Sequence, residues 1–312
     1  MKNNQVSSTA IFVANGVWWV SIHPKLKVEV PELLGRFNLE MVRHINKGLF
    51  DIDHKLGEKL LRIKTALMQK AVMPGFYLHF VLRKRSIENY VRQALQDSAR
   101  QLIVIGAGFD TLSVRMSREF DDCTVIEIDH PATQIWKKKA LERLNPKSRN
   151  IHLLPLDLTQ QSMRQALLDH KNYCPGKNSV FVAEGLTMYL NEKEVRETLN
   201  FIRENSAPGS RFIFTYMKER RRDDYQFTNA SRLADFWLKM KGEVFSWGLA
   251  DGQLEPFLKH SGFHLMQCTT HKELREELLA AANLWVALPI GENIAITQWD
   301  LGSNPNTAPS LS

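Results

Sequence analysis

The chain has 312 residues, 44% of them hydrophobic and 24% charged, which is an ordinary globular composition. That excludes disorder of the whole chain, a collagen-like fibre and a mini-protein held by disulfides. Lys and Arg number 41 against 34 Asp and Glu, a formal charge of +7. The basic residues are scattered, so the excess reads as steering of an anionic ligand or as a solubilising surface, and no nucleic-acid partner is expected. The two tightest runs, Lys137-Lys138-Lys139 and Arg220-Arg221-Arg222, read as solvated surface. Cys123, Cys174 and Cys268 are odd in number and show no CxxC spacing. This fits a reducing, cytoplasmic setting and gives no reason to expect a metal or a disulfide framework.

In chain order, the apolar stretch Thr9 to Ile22 comes first. It is shorter than the ~20 residues that span a bilayer. With Asn15, Gly16 and two tryptophans inside it, the stretch predicts a buried helix rather than a leader, and no membrane partner is expected. Residues 1–98 read as mainly helical, closing on an amphipathic helix marked by Ile87, Tyr90, Val91, Ala94 and Leu95. Five short apolar runs follow, at 101–105, 124–128, 151–154, 179–183 and 211–216, each fitting a buried strand. Helical spacings lie between them: Trp136, Ala140 and Leu144 after Pro131; Met163, Ala166, Leu167 and His170; Val195, Leu199 and Ile202. This alternation predicts βαβ units and a parallel sheet with helices on both faces. Residues 218–282 turn helical again, with Leu233, Phe236, Trp237 and Met240 on one face and Leu254, Phe257, Leu258 and Ser261 on another. Two late strands, 262–268 and 293–299, bracket a helix. The closing GSNPNTAPSLS, Gly302 to Ser312, reads as a disordered tail.

Ligands of such sheets bind at the carboxyl ends of the strands. The first strand ends in Gly106-Ala107-Gly108-Phe109-Asp110-Thr111, where Gly106 and Gly108 permit a sharp turn and a close backbone approach. Thr111 stands where a dinucleotide fingerprint needs its third glycine. Glu127 and Asp129 close the second strand about twenty residues on, where an acid can accept from ribose hydroxyls. Asp129-His130-Pro131 reads equally as a helix start. Asp157 and Leu158 follow the third strand, placed to read an adenine edge or to cap the next helix; Glu184-Gly185 follow the fourth. Acids at successive strand ends with no phosphate grip suit S-adenosylmethionine better than NAD.

The segments GAGFDTLSVRM (106–116), VIEIDHP (125–131), LPLDL (154–158) and AEGLTMYL (183–190) stand in an order and spacing that resembles the leucine carboxyl methyltransferase family, in its bacterial O-methyltransferase branch. The likeness covers roughly residues 70 to 300. It implies an α/β class I methyltransferase fold: a Rossmann-like, seven-stranded, mostly parallel sheet of order 3-2-1-4-5-7-6. It also implies that Gly106 and Gly108 lie beneath the methionine moiety and that Asp129, beside Glu127, binds the ribose. Asp157 and Leu158 take the adenine side, Glu184 lies near the methionine amine, and Arg83 of LRKRSIENY pairs with the cofactor carboxylate, with Arg85 as the alternative. The family pattern has an Arg and an aromatic where this chain has Leu112 and Val114. The implied organisation is a helical extension over 1–85, a cofactor-binding domain over 86–301 with a lid insert at 218–255, and the tail 302–312.

The chemistry expected is methyl transfer to a small-molecule carboxylate or hydroxyl. A carboxylate needs no base; a hydroxyl does, with Tyr189, His79 and Glu184 as candidates. Phe227, Phe236, Trp237, Phe245 and Trp247 of the insert line the acceptor site or else serve as plain core. The alternatives are a non-catalytic protein that keeps this fold and a nicotinamide-dependent dehydrogenase. The acceptor's identity and the oligomeric state are not legible in the sequence.

Overall fold

The structure, a computed structural model, describes residues 8–23, 26, 29–144, 150–158, 160–231, 244–279 and 286–300. The helix expected around Leu233, Phe236, Trp237 and Met240 and the tail at 302–312 lie outside the described residues.

Five runs of apolar residues become the parallel strands β1 (Gln101–Ile105), β2 (Thr124–Asp129), β3 (Ile151–Pro155), β4 (Ser179–Ala183) and β5 (Arg211–Lys218). A two-residue strand, β6 (Gly248–Leu249), pairs only with the end of β5. The late pair is β7 (Phe263–Thr269) and β8 (Glu292–Trp299). The sheet runs β3-β2-β1-β4-β5-β8-β7, with β8 antiparallel to both neighbours. Without the β6 stub this is the order 3-2-1-4-5-7-6 implied by the resemblance.

Alternation along each strand divides the core. Ile103, Ile105, Phe181 and Phe212 face one side, under α8 (Glu192–Asn205) and α9 (Leu254–His260). Leu102, Val104, Val180 and Ile213 face the other, under α4 (Phe76–Asp97), α5 (Leu112–Glu119) and α10 (His271–Leu279). Period two puts neighbours on opposite faces, and a sheet covered on both sides needs apolar residues at every position. The helix α6 (Pro131–Leu144) buries Thr133, Gln134, Lys137 and Ala140, a face turned from the stripe read off Trp136, Ala140 and Leu144. The helix α7 (Met163–Leu168) stops before His170.

The first helices stack over the strand tips. The helix α1 (Ser8–Ser21) buries Val17, Trp18, Trp19 and Val20 against α2 (Glu32–Ile45) and α4. Its Gly16 is required: a Cβ there would come 2.2 Å from the Tyr77 ring of α4. The helix α3 (Lys55–Val72) follows a 3-10 turn at Gly48–Phe50 and touches α1. The helix α4 runs unbroken across the boundary expected at residue 85. Among the described residues, no helix is long and apolar enough to cross a membrane.

Candidate active site at the strand tips

The glycine loop leaves β1 with Gly106 at φ +67° and Gly108 at φ +53°, a region that disfavours any side chain. Leu186 lies over Gly106, 3.2 Å from where a Cβ would be; Ala10 of α1 lies over Gly108 at 4.0 Å. The start of α1 therefore roofs the loop. The loop N–H groups turn inward. Gly106 donates to the Ile128 carbonyl at 2.8 Å, and Ala107 to the same oxygen at 3.5 Å. Gly108 donates to Asp129 Oδ2 at 2.5 Å. Asp110 N–H bonds the Ala107 carbonyl, while Thr111 and Leu112 donate to Asp110 Oδ1. Six of the seven N–H groups from Gly106 to Leu112 are thus spent inside the protein.

Asp129 ends β2 and also accepts from His130 N–H. Burial raises its pKa, opposed by the Gly108 N–H and by Lys137. His130 reaches across to Asp157, Nε2 to Oδ2 at 3.5 Å, so the acids after β2 and β3 share one rim. Leu158 beside them is 40% exposed. A cavity of about 700 Å³ opens next to Leu158, lined also by Ile105, Met163, Ala183 and Leu186 and running between α7 and α8. Asp129 and Arg83 do not line it.

Glu127 behaves differently from Asp129. Its carboxylate is fully buried and pairs with Lys137 Nζ at 2.6 Å. Burial raises its pKa, with Lys137 opposing. It lies beneath the rim, and Lys137, the first of the lysine run read as solvated, is as buried as its partner, whereas Lys138 and Lys139 are exposed.

On the other side of the loop, α4 delivers two adjacent cations to one acid. Arg83 donates through Nε to Glu184 Oε1 at 2.9 Å, and Nη2 lies 2.8 Å from the same oxygen. Its Nη1 donates to both oxygens of Glu292 at 2.6 and 2.7 Å. Lys84 Nζ bridges Glu184 Oε1 and Asp110 Oδ2, both at 3.0 Å. Arg115 supports Asp110 at 3.4 Å and Glu88 at 2.9 Å. Burial works against the Asp110 carboxylate, but Lys84 and Arg115 hold its pKa well below the usual range. Burial likewise opposes Glu292, and the Arg83 guanidinium and His79 overcome it, lowering its pKa to about 2. A guanidinium has five N–H donors, and these contacts use four, leaving one on Nη2, beside Gly185, for a further acceptor. Arg85 lies apart, half-exposed and 3.4 Å from Glu29.

Of the three candidate bases, His79 is 1% exposed and its Nε2 is bonded to Glu292 at 2.8 Å. Glu184 Oε1 is occupied by Arg83 and Lys84. Tyr189 stands edge-on to Phe245 at 5.4 Å, at the margin of an aromatic cluster with Phe12, Phe76, Phe80 and Phe227. Phe227 and Phe245 belong to that cluster; Trp247 instead packs on Phe257 in the core under α9. Phe236 and Trp237 lie outside the described residues.

Sequence reasoning missed Glu292, Lys84 and Asp110. Glu292 opens a strand far from every motif, and only its charge at the head of an apolar run marked it. Lys84 adjoins Arg83, and Asp110 lies inside the glycine segment, so neighbourhood alone could have found them.

The leucine carboxyl methyltransferase profile matches residues 35–203, more than half of the chain, and the chain belongs to that family. Two relatives carry the name "Putative S-adenosyl-L-methionine-dependent methyltransferase". YktD of Bacillus subtilis (strain 168) is 30% identical over 183 residues, 56% of this chain and 57% of that protein. FRAAL3836 of Frankia alni is 26% identical over 219 residues, 70% of this chain and 73% of that protein. The chain's match therefore spans little more than half of the Bacillus relative. A crystal structure of a "putative methyltransferase" from Thermobifida fusca YX superposes with a TM-score of 0.54 at 14% identity, over 81% of this chain and 93% of that one. The fold is the class I methyltransferase fold.

Proposed function

We propose that the protein is an S-adenosylmethionine-dependent methyltransferase acting on an oxygen of a small molecule, with an acceptor that arrives already ionised, a carboxylate. The observation that carries this reading is the loop after β1. Six of its seven N–H groups are consumed internally, too few being left to cradle a pyrophosphate, while an acid stands at the tip of β2 for a ribose. That disfavours a nicotinamide dinucleotide and suits a nucleoside without phosphate.

The residues present fit S-adenosylmethionine as the cofactor. Asp129 is a diol acceptor, the spare Nη2 N–H of Arg83 suits a carboxylate, and Leu158 with Ile105 and Leu186 offers an apolar edge for a base. Thr9 Oγ1, next to the residue that roofs Gly108, is buried with no protein partner, as expected of a group that meets a bound molecule. When bound, the cofactor supplies an electrophilic methyl group.

The chain's own task is alignment and exclusion of water. The helix α1 closes over the glycine loop, and Phe12, Phe76 and Phe80 make the adjoining wall dry. Two of the three candidate bases favour an ionised acceptor: His79 is committed to Glu292, and Glu184 Oε1 to two cations. A carboxylic acid with pKa near ~4 is ionised at neutral pH and needs no proton removed.

Titration calorimetry with S-adenosylhomocysteine tests the cofactor, and a labelled-methyl screen of carboxylic acids against phenols tests the acceptor. Methyl esters as products support the reading. Transfer only to phenols removes the carboxylate part, binding without transfer to any acceptor marks a protein that keeps the fold alone, and absent binding sinks the whole.

A further inference from the structure

We propose that the outer face of α3 is a peripheral docking surface for an anionic lipid bilayer. The helix has two apolar faces. Gly57, Leu61 and Thr65 are buried on the inner side. Leu56, Leu60, Ile63 and Leu67, at spacings of four, three and four, form a second stripe pointing outward. Leu56 is 66%, Ile63 47% and Leu67 62% exposed, and Leu49 of the preceding turn is 67% exposed. The other large exposed apolar residues, such as Ile135 and Met266, are scattered. Over the twelve residues from Leu56 to Leu67 the ridge is roughly 16 Å long. Contiguous exposed apolar surface of this kind marks a docking site.

The charges say what docks. At 3.6 residues per turn, exposed Lys59 and Lys70 flank the stripe on one side and exposed Lys64 on the other. The one carboxylate of the helix, Glu58, falls on the opposite side. A second copy of the same face would set lysines against lysines, so self-association is opposed by charge. A negative surface is favoured. This is the build of a helix that lies in the plane of a membrane surface rather than crossing it, with leucines down and lysines at headgroup level.

The test is sedimentation of the full chain with vesicles of phosphatidylcholine, with and without phosphatidylserine, at low and high salt. The expected result is binding only to the phosphatidylserine vesicles, weakened by salt. Lys59→Gln, Lys64→Gln and Lys70→Gln together lower the partition coefficient on the order of a hundredfold, each lysine contributing roughly fivefold. Leu56→Gln, Ile63→Gln and Leu67→Gln together abolish binding. Both variants keep the wild-type circular dichroism and S-adenosylhomocysteine affinity, since the substituted side chains are solvent-exposed. Failure of the wild type to sediment with phosphatidylserine vesicles, or equal sedimentation of the apolar variant, overturns the proposal. So does a dimer by light scattering that the apolar variant converts to monomer.

Discussion

Asp129 and Glu127 are two residues apart on one strand and point to the same side, yet their surroundings give them different work. Asp129 reaches the rim, takes two backbone N–H groups and has a pKa raised by burial. Asp129→Asn removes a charged acceptor worth ~1.5–3 kcal/mol, so the S-adenosylhomocysteine Kd is expected to rise roughly 10- to 100-fold by calorimetry. In the wild-type protein, affinity falls on acidification through a pH above the ordinary ~3.9 of Asp, because protonation takes away the acceptor. Glu292 has the opposite sign. Its pKa of about 2 in the folded chain lies below its unfolded value near ~4.3, so its stabilisation is full above the unfolded value and is lost as pH falls toward 2. Glu292→Gln should flatten the acid limb of a urea-unfolding series. At neutral pH it should cost about 3 kcal/mol, since Arg83 keeps its buried charge with one partner carboxylate gone.

At the scale of elements, α6 is fastened to β2 by the buried Lys137–Glu127 pair. Lys137→Met leaves a lone buried carboxylate and should destabilise by about 3–5 kcal/mol in urea unfolding, whereas Lys137→Met with Glu127→Leu should recover most of the loss. The double variant is expected to keep wild-type affinity for S-adenosylhomocysteine; a large loss would assign Glu127 to the cofactor after all. This pair also shows where sequence reading stops. Strands β1, β2, β4 and β5 were legible because strands covered on both faces are mostly apolar, and the motifs after β1 and β4 were legible because the turns there need glycine. A lysine inside a run of three looks solvated. Only the phase shared with Thr133, Gln134 and Ala140 places Lys137 inward, and that face carries polar residues that a hydrophobicity pattern passes over. Glu292 was hidden for a different reason: its partners Arg83 and His79 lie more than two hundred residues earlier, and no local spacing encodes a contact made through sheet order.

At the scale of the molecule, the site is assembled from both ends of the sheet. The motif-bearing loops come from β1, β2, β3 and β4, α4 brings the cations, α1 brings the roof, and β8 brings a counter-charge from outside the family-matched segment. Ligand binding across so many elements should stabilise the whole fold. S-adenosylhomocysteine at a hundredfold excess over Kd supplies ~2.7 kcal/mol, which raises Tm by roughly 4 °C. NAD at the same concentration is expected to leave Tm unchanged in the same fluorimetric melt.

The strand bearing Glu292 slots between β5 and β7, both made before it. On the ribosome, β5 must wait with an open rim, and Arg83 with half of its electrostatic company, until β8 threads into the gap. Competence to hold a nucleoside is therefore acquired in one late event rather than built up loop by loop during translation. A nascent chain stalled before that strand emerges lacks the Glu292 partner of Arg83 and leaves the β5 edge unpaired by β8.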